Sequence, residues 1–167
     1  MSSFDSTARR IARCSTRMAD HPQQLVMLNR LAYHIQKRTQ DRLNAAMKKH
    51  GLTIVSYTAL MVLYGSDNEI QRASDLGEAC SEKPANLTRI CNDLEKQGLI
   101  KRRFSLEDRR SVDISLTATG RKCIEKVAPE YWAILQQTYA GISEKDLARQ
   151  EILLKHQLAN LEEQPST

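Results

Sequence analysis

The chain has 167 residues, 41% of them hydrophobic and 27% charged, with a formal net charge of +5. It is long enough for one core plus a helical extension, and no apolar run approaches the length that spans a bilayer, so a soluble, cytoplasmic protein with no membrane partner is expected. The first twenty residues carry Arg9, Arg10, Arg13 and Arg17 without a continuous apolar segment, a pattern that is not a secretory signal.

Residues 1–21 read as a flexible basic arm. Ile11, Cys14 and Met18 have helical spacing, but the stretch is too short to hold a helix alone, and His21-Pro22 ends it. From Gln23 to His50 the spacing predicts a long helix presenting Leu28, Leu31, Ala32, Ile35, Leu43, Ala46 and Met47, with Gly51 as its stop. Thr53 then caps a second helix through Tyr64, followed by Gly65.

Arg72 to Gly120 is the most informative stretch: a short helix, a tight turn, a second helix with defined ends, and a basic hairpin. Pro84 suits a first helical position, where its missing N–H would have no partner in any case. Gly98 suits the left-handed stop, and Leu99 after it is placed to fold back on Leu94, the contact that accompanies a Schellman end. Leu87, Ile90, Cys91 and Leu94 share the inner face at helical spacing. Ala85, Thr88, Arg89 and Asn92 lie on the other side, which is short, polar and cationic, a composition that can read base edges close to a duplex.

The hairpin follows. Val112, Ile114 and Leu116 alternate with Ser111, Asp113 and Ser115, the period of a half-buried strand, and Leu99 to Phe104 supplies its partner. The Glu107-Asp108-Arg109-Arg110 tip lacks the Asn-Gly of a two-residue turn, so a longer, mobile loop is expected there. Thr117 caps a further helix carrying Ile124, Val127, Tyr131, Leu135 and Thr138, with Pro129 inside it as a predicted bend or restart. Ser143 with Asp146 forms a capping box, and Leu147, Leu154, Leu158 and Leu161 make a stripe to the end.

Lys96, Lys101, Arg102, Arg103, Arg109 and Arg110 against Glu107 and Asp108 leave about four net positive charges in fifteen residues, the footprint of a phosphate-binding surface. A helix-turn-helix followed by an arginine-tipped wing is built to place one helix in a DNA major groove and a cation beside it. Residues 1–50 hold ten Lys/Arg against three Asp, and residues 143–167 hold three against five Asp/Glu, so a basic body carries an acidic tail. No phosphate-loop, nucleophile-elbow or zinc-protease motif is present, and the histidines at 21, 34, 50 and 156 are scattered, so neither an enzyme, a metal site nor a cofactor is expected. Cys14, Cys80, Cys91 and Cys123 have no Cys-x-x-Cys spacing and fit a reducing compartment. Cys91 and Cys123 read as small buried hydrophobes, Cys80 as partly exposed near the turn, and Cys14 as part of the mobile arm.

The run N-L-T-R-I-x-N-D-L-E-K-Q-G-L-I-K-R, followed by D-R-R-x-V-x-I-x-L-T-x-x-G, resembles the winged-helix region of the MarR family of multiple-antibiotic-resistance regulators. The likeness extends over residues 23–162 in element order and spacing. The earlier segments L-N-R-L-A-Y-H-I-Q-K-R and H-G-L-T-I-V-S-Y-T-A-L are most similar to the multidrug-efflux repressors called EmrR-like. The resemblance implies a mostly α-helical fold with a single MarR-type domain over about 22–163. Within it lie a winged helix at about 53–116 and dimerisation helices at about 23–50 and 117–163, formed by the N- and C-terminal helices. A wing domain alone needs only about 60–80 residues, so the stripes of the flanking helices need a partner. The family's answer is an intertwined homodimer, with Leu147, Leu154, Leu158 and Leu161 at the interface.

By the same resemblance, a palindromic double-stranded operator is contacted by Lys83, Pro84, Ala85, Asn86, Thr88 and Arg89, with Asp108 orienting wing arginines Arg109 and Arg110. Relatives often carry Ser or Thr near Ala85, so alanine there departs from the family pattern and offers no polar readout contact. A small aromatic or phenolic effector would release the DNA from a cleft lined by His34, Arg38, Tyr57 and Met61. The expected role is a ligand-responsive repressor of a multidrug-efflux or detoxification operon. The alternatives are a thiol-based redox-sensing repressor and a non-sensing architectural DNA-binding protein.

Overall fold

A computed structural model describes residues 4–105 and 111–163. Helix α1 (Asp5–Ser15) precedes α2 (Gln23–Lys48) and α3 (Ile54–Tyr64). A 3-10 turn at Asp67–Glu69 leads into β1 (Ile70–Arg72), α4 (Ala73–Ala79) and α5 (Pro84–Lys96). The hairpin β2 (Ile100–Phe104) and β3 (Val112–Leu116) is followed by α6 (Ala118–Thr138) and α7 (Glu144–Glu162). The chain divides into two compact units, one up to residue 134 and one from 135 onward, and the boundary falls inside α6.

The segment expected to be a flexible arm contains α1 instead. It packs along α2: Ile11 is buried, the Phe4 ring meets His34 edge-on at 5.2 Å, and Ser15 Oγ lies 2.8 Å from His21 Nδ1. A helix this short is marginal in isolation, and these contacts supply what its own sequence cannot.

The core of the first unit gathers Met47 of α2 with Leu60 and Leu63 of α3, Leu76 of α4 and Leu87, Ile90 and Leu94 of α5. Ile100, Ile114, Ile124 and Val127 complete it. Thr53 and Ser56 cap α3 reciprocally: Ser56 N–H donates to Thr53 Oγ1 and Thr53 N–H to Ser56 Oγ. The sheet has three antiparallel strands in the order β1-β3-β2, with Ile70 opposite Ser115, Ile100 opposite Leu116 and Phe104 opposite Val112. β1 did not register in the sequence because three residues are too few to display a period.

Helix α6 passes through Pro129 as one element, so the predicted restart does not occur. Val127 and Ala128 are buried on one side of the proline and Tyr131 packs on the core beyond it, and this packing outweighs one missing backbone bond. In the second unit Ser143 caps α7 by accepting from Asp146 N–H at 3.2 Å. No residue of α7 is buried: Ile152, Leu153, Leu154, Leu158 and Leu161 are each at least half exposed.

Candidate nucleic-acid interface

Helix α5 is framed as its ends imply. Pro84 opens it after Lys83. At the other end Gly98 takes φ +70°, Leu99 N–H donates to Leu94 O at 3.0 Å and Gly98 N–H to Glu95 O at 2.9 Å. These two bonds are the Schellman pair, and both leucines are buried. The turn into α5 repeats the device at the end of α4, where Ser81 takes φ +53° and Glu82 N–H donates to Gly77 O at 2.9 Å. A Cβ on Gly77 would stand 3.3 Å from Leu87 Cδ2, which shows how closely the two helices meet.

With Leu87, Ile90, Cys91 and Leu94 turned inward, Lys83, Pro84, Ala85, Thr88 and Arg89 are exposed and Asn86 is half-buried. The hydroxyl of Thr88 donates to Pro84 O at 2.9 Å, so its proton is already committed. Asn86 Nδ2 donates to Glu82. Arg89 Nη2 donates to Asn86 Oδ1 at 2.9 Å, and Arg89 Nη1 lies 3.6 Å from Asp93 Oδ2. Asn86 and Arg89 are thus brought together. Asp108, Arg109 and Arg110 lie outside the described residues, as does the loop expected at the wing tip.

The hairpin is tied to α5 by a pair the sequence did not reveal. Arg102 Nε donates to Glu95 Oε2 at 2.9 Å, and Arg102 backbone N–H donates to Glu95 Oε1 at 3.2 Å. These hydrogen bonds hold the Glu95 carboxyl below its ordinary range. The only available signal was the i, i+7 spacing across Gly98. At the far end of β3, Thr117 Oγ1 donates to Gly98 O at 2.7 Å, with Leu99 O at 3.0 Å as a second acceptor, and accepts from Gly120 N–H at 2.9 Å, while Thr117 N–H donates to Leu99 O at 3.1 Å. The L-T-x-x-G signature therefore rivets α6 to the end of α5.

The four expected effector residues fall into two groups. His34 is half-buried on α2 between the Phe4 and Tyr33 rings, with Arg30 Nη2 3.4 Å from its Nε2. Arg38 is exposed one turn further along. Sequence reasoning did not place Phe4, Arg30 and Tyr33 beside His34, although the four-residue step from Arg30 to His34 is a legible signal. Tyr57, expected to face a cleft, is a core residue at 2% exposure. Its ring lies 5.0 Å from Tyr131, and its hydroxyl has no partner among the described residues. Apolar neighbours on both sides of α3 take the ring inward. Met61 is partly buried against the same core.

Three of the four thiols, Cys80, Cys91 and Cys123, are held in environments that disfavour the thiolate. Burial, with the nearby Cys91 and Glu82, pushes the Cys80 thiol up to about 11. Burial also raises Cys91 and Cys123. Cys123 is half-buried rather than fully buried, and Cys14 is exposed. Among the described residues no cluster of His, Cys, Asp or Glu could hold a metal ion, and no helix is long and apolar enough to cross a membrane.

Residues 42–127 match the family described as transcriptional regulator SarA/Rot. The transcriptional repressor MprA of Escherichia coli (strain K12) is 30% identical over 162 residues, covering 97% of this chain and 92% of MprA. Among solved structures, AbsC, a MarR family transcriptional regulator from Streptomyces coelicolor, superposes with a TM-score of 0.77 at 25% identity, covering 85% of this chain and 95% of AbsC. BpsR of Bordetella bronchiseptica, a protein whose DNA binding is regulated by 6-hydroxynicotinic acid, superposes with a TM-score of 0.70 at 21% identity, covering 77% of this chain and 91% of BpsR. At that identity the likeness to BpsR concerns the fold.

Proposed function

Because this chain belongs to the MarR family of winged-helix transcriptional regulators, we propose that it is a homodimeric repressor that lays α5 in the major groove of a palindromic operator. The observation that carries this reading is the exposed face of α5. Lys83, just before α5, and Ala85, Thr88 and Arg89 on it stand outward, while the other face of the helix is buried in the core and its C-terminal end is closed at Gly98. Arg89 reads a base edge and Lys83 meets phosphate, while Arg109 and Arg110, oriented by Asp108, reach the minor groove. Two heads then meet half-sites about 34–36 Å apart. The exposed leucines of α7, Leu154, Leu158 and Leu161, with Leu147, support the dimer, since a soluble monomer rarely leaves such a stripe uncovered.

The regulated genes are a multidrug-efflux or detoxification operon, and the signal is a small aromatic acid or phenol. His34 and Arg38 offer hydrogen bonding and a cation to a carboxylate, and Met61 offers an apolar wall. Regulation of BpsR by 6-hydroxynicotinic acid supports the ligand class. The raised Cys80, Cys91 and Cys123 thiols speak against a redox switch. The test selects DNA from a random-sequence pool with the purified protein, then follows binding of the recovered duplex by fluorescence anisotropy across a panel of aromatic acids. The reading expects a palindrome and at least one compound that weakens binding. Recovery of no preferred sequence would overturn the repressor assignment, and a palindrome insensitive to every compound would overturn the effector assignment.

A further inference from the structure

Asn86 sits where a base-reading residue is expected, yet its amide nitrogen and its oxygen are each already engaged within the protein. Its amide nitrogen donates to Glu82, and its oxygen accepts from Arg89. The orientation of the amide is chemically forced, because a carboxylate can only accept and a guanidinium can only donate. A bidentate contact to adenine would have to use the remaining N–H and lone pair, in an orientation already set by Glu82 and Arg89. Glu82 in turn is held by its backbone bond to Gly77 in the turn before the helix. A chain of contacts therefore runs from the turn through Glu82 and Asn86 to Arg89. Asp93 approaches the same guanidinium from the next turn of the helix, 3.6 Å from Nη1.

We propose that Asn86 and Asp93 are specificity-determining positioning residues that hold the Arg89 guanidinium from its two flanks, so that its remaining N–H groups are presented to the O6/N7 edge of one guanine. This rests on the reading that α5 enters the major groove. Each terminal nitrogen of the guanidinium carries two protons. With one committed on Nη2 and Nη1 turned to Asp93, each keeps an N–H for the parallel pair of bonds that guanine accepts. A long arginine side chain otherwise loses rotamer freedom when it docks, and holding it beforehand removes that cost. The acidic partners have an opposite effect on general affinity: a carboxylate facing phosphates weakens binding to any duplex. Positioning and charge therefore predict changes of opposite sign for Asp93, which separates them.

The experiment uses the full-length protein and the duplex recovered by random-sequence selection. Companion duplexes each carry one altered base pair of the half-site, and competition is measured at one salt concentration. Arg89→Ala is expected to lose preference at a single G·C pair by roughly 5- to 150-fold. Asn86→Ala and Asp93→Ala lose part of that preference, roughly 2- to 12-fold, at the same pair. Asp93→Ala also binds random DNA more tightly, Asp93→Asn retains most of the preference because an acceptor oxygen remains, and Asn86→Ala adds nothing in an Arg89→Ala background. Loss of preference in Asn86→Ala at a different base pair, additive with Arg89→Ala, would make Asn86 a base reader and overturn the proposal. Unchanged preferences in both Asn86→Ala and Asp93→Ala would overturn it too. Unchanged preferences in Arg89→Ala would overturn the placement of α5 in the groove along with it.

Discussion

Replacing Gly120 with alanine tests whether the L-T-x-x-G signature holds the head together or touches DNA. A Cβ at this position would stand 2.2 Å from the Leu99 carbonyl oxygen and 2.8 Å from Leu116 Cδ1. The first distance is about 1 Å inside the roughly 3.3 Å at which carbon and carbonyl oxygen ordinarily meet. The carbonyl cannot simply withdraw, since it accepts from the backbone N–H of Thr117 at 3.1 Å. The start of α6 must move instead. Forcing an extra methyl into a packed site costs about 1–3 kcal/mol, and disturbing the Thr117 bonds adds about 1 kcal/mol. Alanine returns about 1 kcal/mol through its better helix propensity. The net loss is then about 2 kcal/mol, which for a chain of this size lowers Tm by roughly 4–8 °C. Circular dichroism during urea and thermal unfolding reads it, at matched protein concentration because self-association would otherwise enter the comparison. Stability within about 0.5 kcal/mol of the parent would refute the reasoning. So would a loss of DNA affinity at unchanged stability, because Gly120 would then be acting at the duplex.

Three further outcomes are expected. Arg110→Ala should lower DNA affinity and flatten the dependence of log affinity on log salt by about one for each phosphate that Arg110 neutralises in a subunit; an unchanged slope in a salt titration would remove Arg110 from the interface. Leu154→Asp with Leu158→Asp should shift the protein toward monomer in sedimentation velocity and abolish tight binding to the palindrome, and an unaltered dimer would place the interface elsewhere. The Cys80 thiol, ordinarily at 9.0, is pushed up to about 11 in the fold. The stability tied to its protonated form is therefore complete below pH 9 and lost as pH rises toward 11. The urea midpoint should fall between pH 8 and pH 10.5, less so in Cys80→Ala, and identical pH profiles for the two proteins would contradict the burial assigned to Cys80.

What the sequence disclosed and what it hid follow from the range of the interactions involved. The stop at Gly98-Leu99, the caps at Thr53 and Thr117 and the inner face of α5 depend on groups a few residues apart, and all are readable from spacing. Residues 5–15 read as a loose arm because the contacts that hold α1, Phe4 against His34 and Ser15 against His21, involve residues beyond the helix itself. Tyr57 reads as a cleft residue because an aromatic among apolar residues looks the same from sequence whether it packs or lines a pocket. Tyr131, which meets it from α6, is far away in the chain. Glu95 with Arg102 escapes notice since a helix end and a tight turn separate them, and only the folded hairpin brings the backbone N–H and guanidinium of one residue onto the carboxylate of the other.

The two units differ in how fully they satisfy themselves, and that difference bears on regulation. Around α5 the apolar side chains are buried and the C-terminal end of the helix is closed, so its packing is complete within one chain. Helix α7 is the reverse: nineteen residues, none buried, with Leu153, Leu154, Leu158 and Leu161 exposed. Most helical stability in proteins comes from packing an amphipathic face, so the persistence of α7 depends on what covers the stripe. In the proposed dimer that cover is a second copy, and the spacing of the two heads is then decided by surfaces outside the heads themselves. In the proposed mechanism, a ligand bound near His34 and Arg38 on α2 need not touch α5 to release DNA. It needs only to favour one arrangement of the long helices over another, and DNA must then oppose the ligand by the same factor.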